Sequence, residues 1–199
     1  MRELIRDKVQ ETKRRLVIEA VSKLFEEEGI SALKMQDIAR YLDMSVGALY
    51  KLFESKEALF YAYVTYQYAL FHSKLTAGCT EQIGPRRCLE RFAAMKLEVF
   101  RAKRKAVEDP MAGDPLFFLK MDTRIGDAAA PIFDFLAEQF EKLAETTPLK
   151  EKDNLKIAYL FNAFTTGYVE YWISRGGELE ESPEKVVGNF LEGMIGGER

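Results

Sequence analysis

The chain is poor in the residues that carry catalytic and metal chemistry: one histidine, one tryptophan and two cysteines in 199 residues. Each scarcity removes a class of function. His72, the single histidine, sits in a helical pattern with no Cys, Asp or Glu at metal-ligand spacing, which leaves it a surface or supporting role. Cys79 and Cys88 form neither a CxxC pair nor a secreted disulfide framework, so a reduced cytoplasm is the expected compartment. Serines and threonines are scattered without a base to activate them, and neither a Gly-rich phosphate loop nor an HExxH pattern occurs. Paired carboxylates such as Glu138 and Glu141 read as a solvated helix face. The expectation is a non-enzyme with no cofactor and no metal. No run approaches the ~18 apolar residues of a membrane span, and MRELIRDKVQ lacks the apolar core of a signal peptide, so no membrane partner is expected.

Charge of one sign is also lacking. A formal net charge of -3 exerts no global pull on nucleic acid, so any DNA binding has to come from a local patch. One candidate lies at the start, where Arg2, Arg6, Lys8, Lys13, Arg14 and Arg15 face only Glu3, Asp7 and Glu11. What the chain does have is apolar content, 47% of residues, enough for a substantial core in one large domain or two small ones. That content recurs at helical intervals throughout, with no strand alternation and no internal repeat, and the fold class is all-α.

Val17, Ala20, Val21, Leu24 and Phe25 keep helical spacing up to Gly29, a C′ residue; either Thr12 caps this helix or one continuous helix starts near Arg2. The stretch from Lys34 to Phe60, KMQDIARYLDMSVGALYKLFESKEALF, then reads as two short helices across a tight turn. Ile38, Ala39 and Leu42 form one apolar face, and Leu49, Leu52 and Phe53 another. Asp43 and Met44 make the turn, Asp being tolerant of left-handed backbone. Ser45 is placed to cap the helix from about Val46 to Phe53. Gly47 removes a side chain from its first turn, allowing close approach to something bulky. Tyr50 and Lys51 follow one turn later with donors for phosphate oxygens, and Lys56, after the N-cap candidate Ser55, adds a cation at a helix start. This is the build of a helix-turn-helix DNA reader, in which Val46 and Ala48 can touch thymine methyls while Gln36 and Lys51 can hydrogen-bond base edges.

These residues resemble the tetracycline-repressor (TetR) family, through Asp37-Ile38-Ala39, Ser45-x-Gly47-x-x-Tyr50-x-x-Phe53, Lys56-x-x-Leu59, and upstream Ala20, Leu24, Phe25 and Gly29. The likeness covers roughly the first sixty residues. The chain departs from the family pattern in three places: Leu33 and Lys34 stand where Thr often starts the second helix, Asp43 where the turn is commonly Gly, and Val46 where Lys or Arg is frequent. The resemblance implies an N-terminal three-helix DNA-binding domain, 1–55, followed by a larger helical ligand-binding and dimerisation domain, 56–199. Lys34, Gln36, Ser45, Val46, Gly47, Ala48, Tyr50, Lys51 and Lys56 are the expected DNA-binding residues.

Beyond Lys56 the helical pattern runs unbroken through ALFYAYVTYQYALFHSKL, so the link between reader and remainder is itself a helix. Pro85 starts a helix to about Lys105, with Leu89, Phe92, Met95, Val99 and Phe100 inward. EDPMAGDP is a loop, Leu116, Phe117 and Leu119 belong to a short helix, and GDAAAP leads into IFDFLAEQFEKLAE. The last two helices run from about Leu149 to Ser174 and from about Pro183 to Met194. The resemblance implies that this pair packs against its twin in a homodimer, with Gly167 and Gly188 permitting close approach. It also implies a pocket for a small apolar or amphipathic effector, for which Phe92, Phe117, Phe164 and Trp172 are the candidate walls. The function so implied is a ligand-responsive regulator, a repressor, that binds a palindromic double-stranded DNA operator as a homodimer and is released by its effector. The rivals are a DNA-binding regulator with no small-molecule ligand, and a helical-bundle carrier or enzyme.

Overall fold

The computed structural model describes residues 1–102, 123–176 and 179–195. Among them are eight helices and no strand: α1 Arg2–Glu28, α2 Met35–Tyr41, α3 Val46–Leu52, α4 Lys56–Ala77, α5 Pro85–Ala102, α6 Thr123–Ala144, α7 Asn154–Arg175 and α8 Pro183–Met194. The described residues fall into two compact units that divide inside α4: one holds Met1–Gln67, and the other begins at Tyr68. The sequence boundary at 55/56 coincides with the start of α4.

In the first unit α1 is one continuous helix of 27 residues. Thr12 does not cap it, since its Oγ1 donates back to the Lys8 carbonyl at 2.8 Å. The helix ends at Gly29, whose φ of 73° is open to glycine without strain. Val17, Ile18, Val21, Leu24 and Phe25 are buried, whereas Leu4, Ile5 and Val9 at the start of the same helix are exposed. Ile38, Leu49 and Leu59, all fully buried, bring α2, α3 and α4 to this core, and each contributes about 1.5–3 kcal/mol of transfer free energy. The Phe25, Phe60 and Tyr63 rings stand against one another, Phe25 meeting Tyr63 edge-on at 5.3 Å. Burial first, and the Glu26 carboxylate second, hold the Tyr63 hydroxyl far above its ordinary pKa.

The second unit is a bundle around Leu89, Leu97, Leu136, Phe140, Ile157 and Phe161, all buried. Phe161 on α7 is its hub, with ring centres 5.6 Å from Phe92, 5.7 Å from Phe140 and 5.0 Å from Phe190. Two boundaries differ from the sequence reading. Helix α6 starts at Thr123 and carries Pro131 inside it, so GDAAAP is helical and not a lead-in. Helix α7 starts at Asn154, because Asp153 accepts from the Lys156 amide at 3.0 Å and fixes the N-terminus there. Leu149 forms instead an isolated antiparallel bridge with Ile195, and the Lys150 amide donates to the Met194 carbonyl at 2.9 Å. Helix α8 starts as read, with Ser182 as N-cap and Pro183 next. Val99, read as inward, is 37% exposed.

Candidate nucleic-acid interface

The reader is built by α2, a turn and α3. Helix α2 has a lysine where a capping hydroxyl is customary. Lys34 offers no acceptor, and the start of α2 is held from the other side: Asp37 Oδ2 accepts from the Lys34 backbone amide at 3.1 Å. Asp37 also meets Arg40 at 3.4 Å. The turn closes as the Met44 amide donates to the Ala39 carbonyl at 2.9 Å. Asp43 sits at φ 52°, and no other non-glycine residue among the described ones has positive φ. An aspartate tolerates that conformation better than most side chains, which reconciles it with a position usually given to glycine.

Helix α3 opens on Ser45, whose Oγ accepts from the Ala48 amide at 3.1 Å and keeps its own proton to donate elsewhere. Leu49 and Leu52 anchor the helix, while Ser45, Gly47, Tyr50 and Lys51 are exposed and Val46 and Ala48 half-buried. A Cβ added at Gly47 would meet nothing within 4 Å, and its backbone has ordinary negative φ. Nothing among the described residues therefore requires glycine there. Gln36, Arg40, Asp43, Met44, Ser45 and Val46 line one open depression on this surface, and Lys34 and Gln36 are exposed beside it.

Two cations read from sequence as candidates for phosphate have internal partners. Lys56 Nζ donates to the carbonyls of Ile30 at 3.1 Å and Leu33 at 3.0 Å, so it fastens the α1–α2 connection. Its helix start is capped by Ser55, which accepts from the Ala58 amide at 3.1 Å. Arg14 donates to the Leu52 carbonyl at the end of α3, and its guanidinium lies 4.5 Å from the centre of the Phe53 ring. A cation at a helix C-terminus and over an aromatic face is stabilising on both counts. Sequence periodicity had no means of separating Arg14 from the solvent-facing Arg15 beside it.

Of the candidate effector residues, Phe117 lies outside the described residues. Phe92 and Trp172 are buried in the second unit's core, 3% and 6% exposed. Phe164 is half-buried and lines an open depression with Gly167, Tyr168, Tyr171 and Glu181. The two glycines read as a close-approach pair differ: nothing stands within 4 Å of a Cβ at Gly167, whereas at Gly188 it would meet Arg86 of α5 at 3.7 Å. Sequence reading missed Lys96 on α5. It is 9% exposed, and its Nζ is surrounded by the Asn162 carbonyl at 2.8 Å, Asn162 Oδ1 at 2.8 Å, Thr165 Oγ1 at 2.9 Å and Thr166 Oγ1 at 2.6 Å. Desolvation lowers its pKa from the ordinary 10.5 to about 7, against a smaller pull from Glu170. A lysine falling on the inner stripe of α5, between Phe92 and Phe100, was the available signal. Among the described residues no group of three His, Cys, Asp or Glu is placed to hold a metal, and no helix is long and apolar enough to cross a membrane.

An exposed, capped second helix set on a buried α1–α2–α4 core defines a helix-turn-helix DNA reader. Residues 17–63 match the family model for bacterial regulatory proteins of the tetR family. The N-terminal reader is thus that of the tetR family of bacterial transcriptional regulators, and the resemblance drawn from the sequence is borne out. An HTH-type transcriptional regulator of Bacillus subtilis, YuxN, is 41% identical over 56 residues, 28% of this chain and 19% of that relative. The match thus spans about a fifth of the relative's length. Solved structures match over far more. FadR of Thermus thermophilus, a TetR-family repressor in complex with lauroyl-CoA, is 22% identical, with 94% of this chain and 97% of that one covered at a TM-score of 0.69. The fatty acid degradation regulator FadR of Bacillus halodurans is 17% identical, covering 94% and 96% at 0.69. A TetR-family regulator of Mesorhizobium loti is 20% identical, covering 94% and 98% at 0.65. At these identities the likeness is one of fold.

Proposed function

We propose that the protein is a ligand-responsive transcriptional repressor acting as a homodimer on a near-palindromic operator. The observation that carries the DNA reading is the exposed, Ser45-capped α3 held on a buried core by Leu49 and Leu52, with Gly47 leaving its tip open to close approach by a bulky partner. Val46, Gly47 and Ala48 would lie against base edges, with Gln36 and Lys51 as hydrogen-bond donors to them. Ser45, Tyr50 and Lys34 would hold phosphates. Lys56 contributes to a phosphate site with whatever donor capacity its two carbonyls leave, and by fixing α4's start. With so few polar base contacts, specificity would also draw on DNA shape.

Dimerisation would use the exposed face of α7, where Tyr159 is 53% exposed, Leu160 45% and Tyr171 67%, with Gly167 open between them. That much apolar area facing water on a single helix favours a partner surface. The effector reading rests on the lauroyl-CoA bound by the Thermus relative and on the aromatic interior of the second unit; the depression beside Phe164 includes Gly167 and Tyr171 and belongs to the face given to the dimer. An effector would act through its differential affinity for the DNA-competent and incompetent states. The test is in-vitro operator selection on the full chain, with and without candidate ligands. Recovery of a two-fold symmetric site whose occupancy falls when ligand is added is the expected result. Failure to enrich any sequence would refute the reading.

A further inference from the structure

The second unit holds a buried charge that no counter-charge meets. Lys96 lies on the α5 stripe Phe92, Met95, Val99 and Phe100, the one charged residue at its centre. Its ammonium is met only by neutral oxygens of α7. Among the described residues no carboxylate comes within ion-pair distance of it; Glu170, exposed and one turn beyond Thr166 on α7, acts on it only from afar. A buried ammonium without a counterion is costly, and a methionine or leucine would fill the same place more cheaply. The apolar surface around it is incompletely covered: Met95 and Phe100 are half-buried, and Val99 is 37% exposed. Two of its partners, Asn162 and Thr166, are themselves half-buried. Their side chains can turn, so an incoming anion has oxygens to displace that are not fixed backbone. Phe92 sets the apolar side, with its ring centre 5.9 Å from Nζ.

We propose that Lys96 is the specificity-determining residue of the effector site, and that the effector is an amphipathic carboxylate whose charge pairs with the Lys96 ammonium while its apolar part lies on the Met95, Val99 and Phe100 surface. The inference rests on the effector reading above and narrows it to one chemical class. A carboxylate supplies the counter-charge that Asn162, Thr165 and Thr166 lack, and a charge-assisted hydrogen bond in an apolar setting discriminates strongly against a neutral analogue.

The test uses the full chain and two matched pairs of probes, decanoate with decan-1-ol and 3-phenylpropanoate with 3-phenylpropan-1-ol, titrated calorimetrically near pH 6.5. At least one acid is expected to bind ten-fold or more tightly than its alcohol, and Lys96→Met is expected to abolish that preference while retaining the alcohol. Lys96→Gln serves where the methionine variant does not fold. Alcohol and acid binding equally to the unaltered protein overturns the proposal and leaves the effector site standing, as does an acid preference that survives loss of the lysine. Binding of none of the four probes overturns the proposal together with the effector reading.

Discussion

Replacing Lys96 by methionine should flatten the dependence of stability on pH. The ammonium has an ordinary pKa of 10.5, lowered by burial to about 7 in the folded chain. Between those values the unfolded chain binds a proton that the folded chain does not, so stability rises with pH across this window. Below about 7 both states are protonated and the full cost of burying the charge is present. The rise amounts to about 1.4 kcal/mol per pH unit, and to on the order of 5 kcal/mol across the window. Urea unfolding of the unaltered protein and of Lys96→Met, followed between pH 7 and 9, isolates this contribution because both proteins share every other titrating group. The methionine variant leaves Asn162 Oδ1 without its donor, a penalty of about 1–3 kcal/mol independent of pH; Lys96→Met combined with Asn162→Leu removes that as well. The window stops at pH 9 because Cys79, pushed up to about 12 by burial first and then by Cys88, acts in the opposite sense above its ordinary value of 9.0. Parallel curves for the two proteins, with a constant offset, would show that the ammonium is as well solvated in the fold as in water and would refute the argument.

The reader makes further predictions. Gly47→Ala meets no clash, so its melting temperature should stay level or rise, an alanine being favoured over glycine in a helix by about 1 kcal/mol; operator affinity in gel shift should nevertheless fall ten-fold or more, and unchanged affinity would remove the close approach at α3. Tyr50→Ala should weaken binding to all DNA sequences alike, and a loss confined to one sequence contradicts a phosphate role. Arg14→Ala removes a carbonyl hydrogen bond and an aromatic contact and should lower the stability of the first unit by about 1–2 kcal/mol in thermal unfolding without DNA; loss of DNA affinity at unaltered stability would return Arg14 to the DNA surface. Tyr171→Glu places a charge on the open α7 face and should give monomers in sedimentation, whereas an intact dimer would move the interface elsewhere.

How much was legible in the sequence depended on whether the signal was local. Helix caps and turn residues act within four positions, and there the reading and the structure agree: Gly29 ends α1, Asp43 takes the left-handed turn, and Ser45 and Ser55 cap their helices. Asp153 is the instructive exception. Leu149 continues the apolar spacing backwards from α7, so periodicity extends the helix, yet a cap four residues later overrules it and leaves Leu149 to pair with Ile195. The helix at Thr123 is the reverse case, since Gly126 and Pro131 signal a break that the surrounding bundle overrides.

The fate of a long cation was not legible, because it depends on which carbonyls lie within reach after folding. Arg14 and Lys56 read in the sequence as cations free to meet phosphate, and Lys96 as a lysine among the inner positions of α5. In the fold the partners of Arg14 and Lys56 come from 38 and 23 to 26 residues away, and those of Lys96 from 66 to 70. Such separations lie far beyond any window of helical spacing. Yet the three differ in a way that bears on function. Arg14 and Lys56 neutralise carbonyls at the ends of helices and turns that the reader needs in place, so their charge has a structural use. Lys96 joins α5 to the interior of α7, away from either helix end, and only neutral oxygens meet its charge. A buried cation that no helix end requires is the feature of this chain on which the proposed effector class rests.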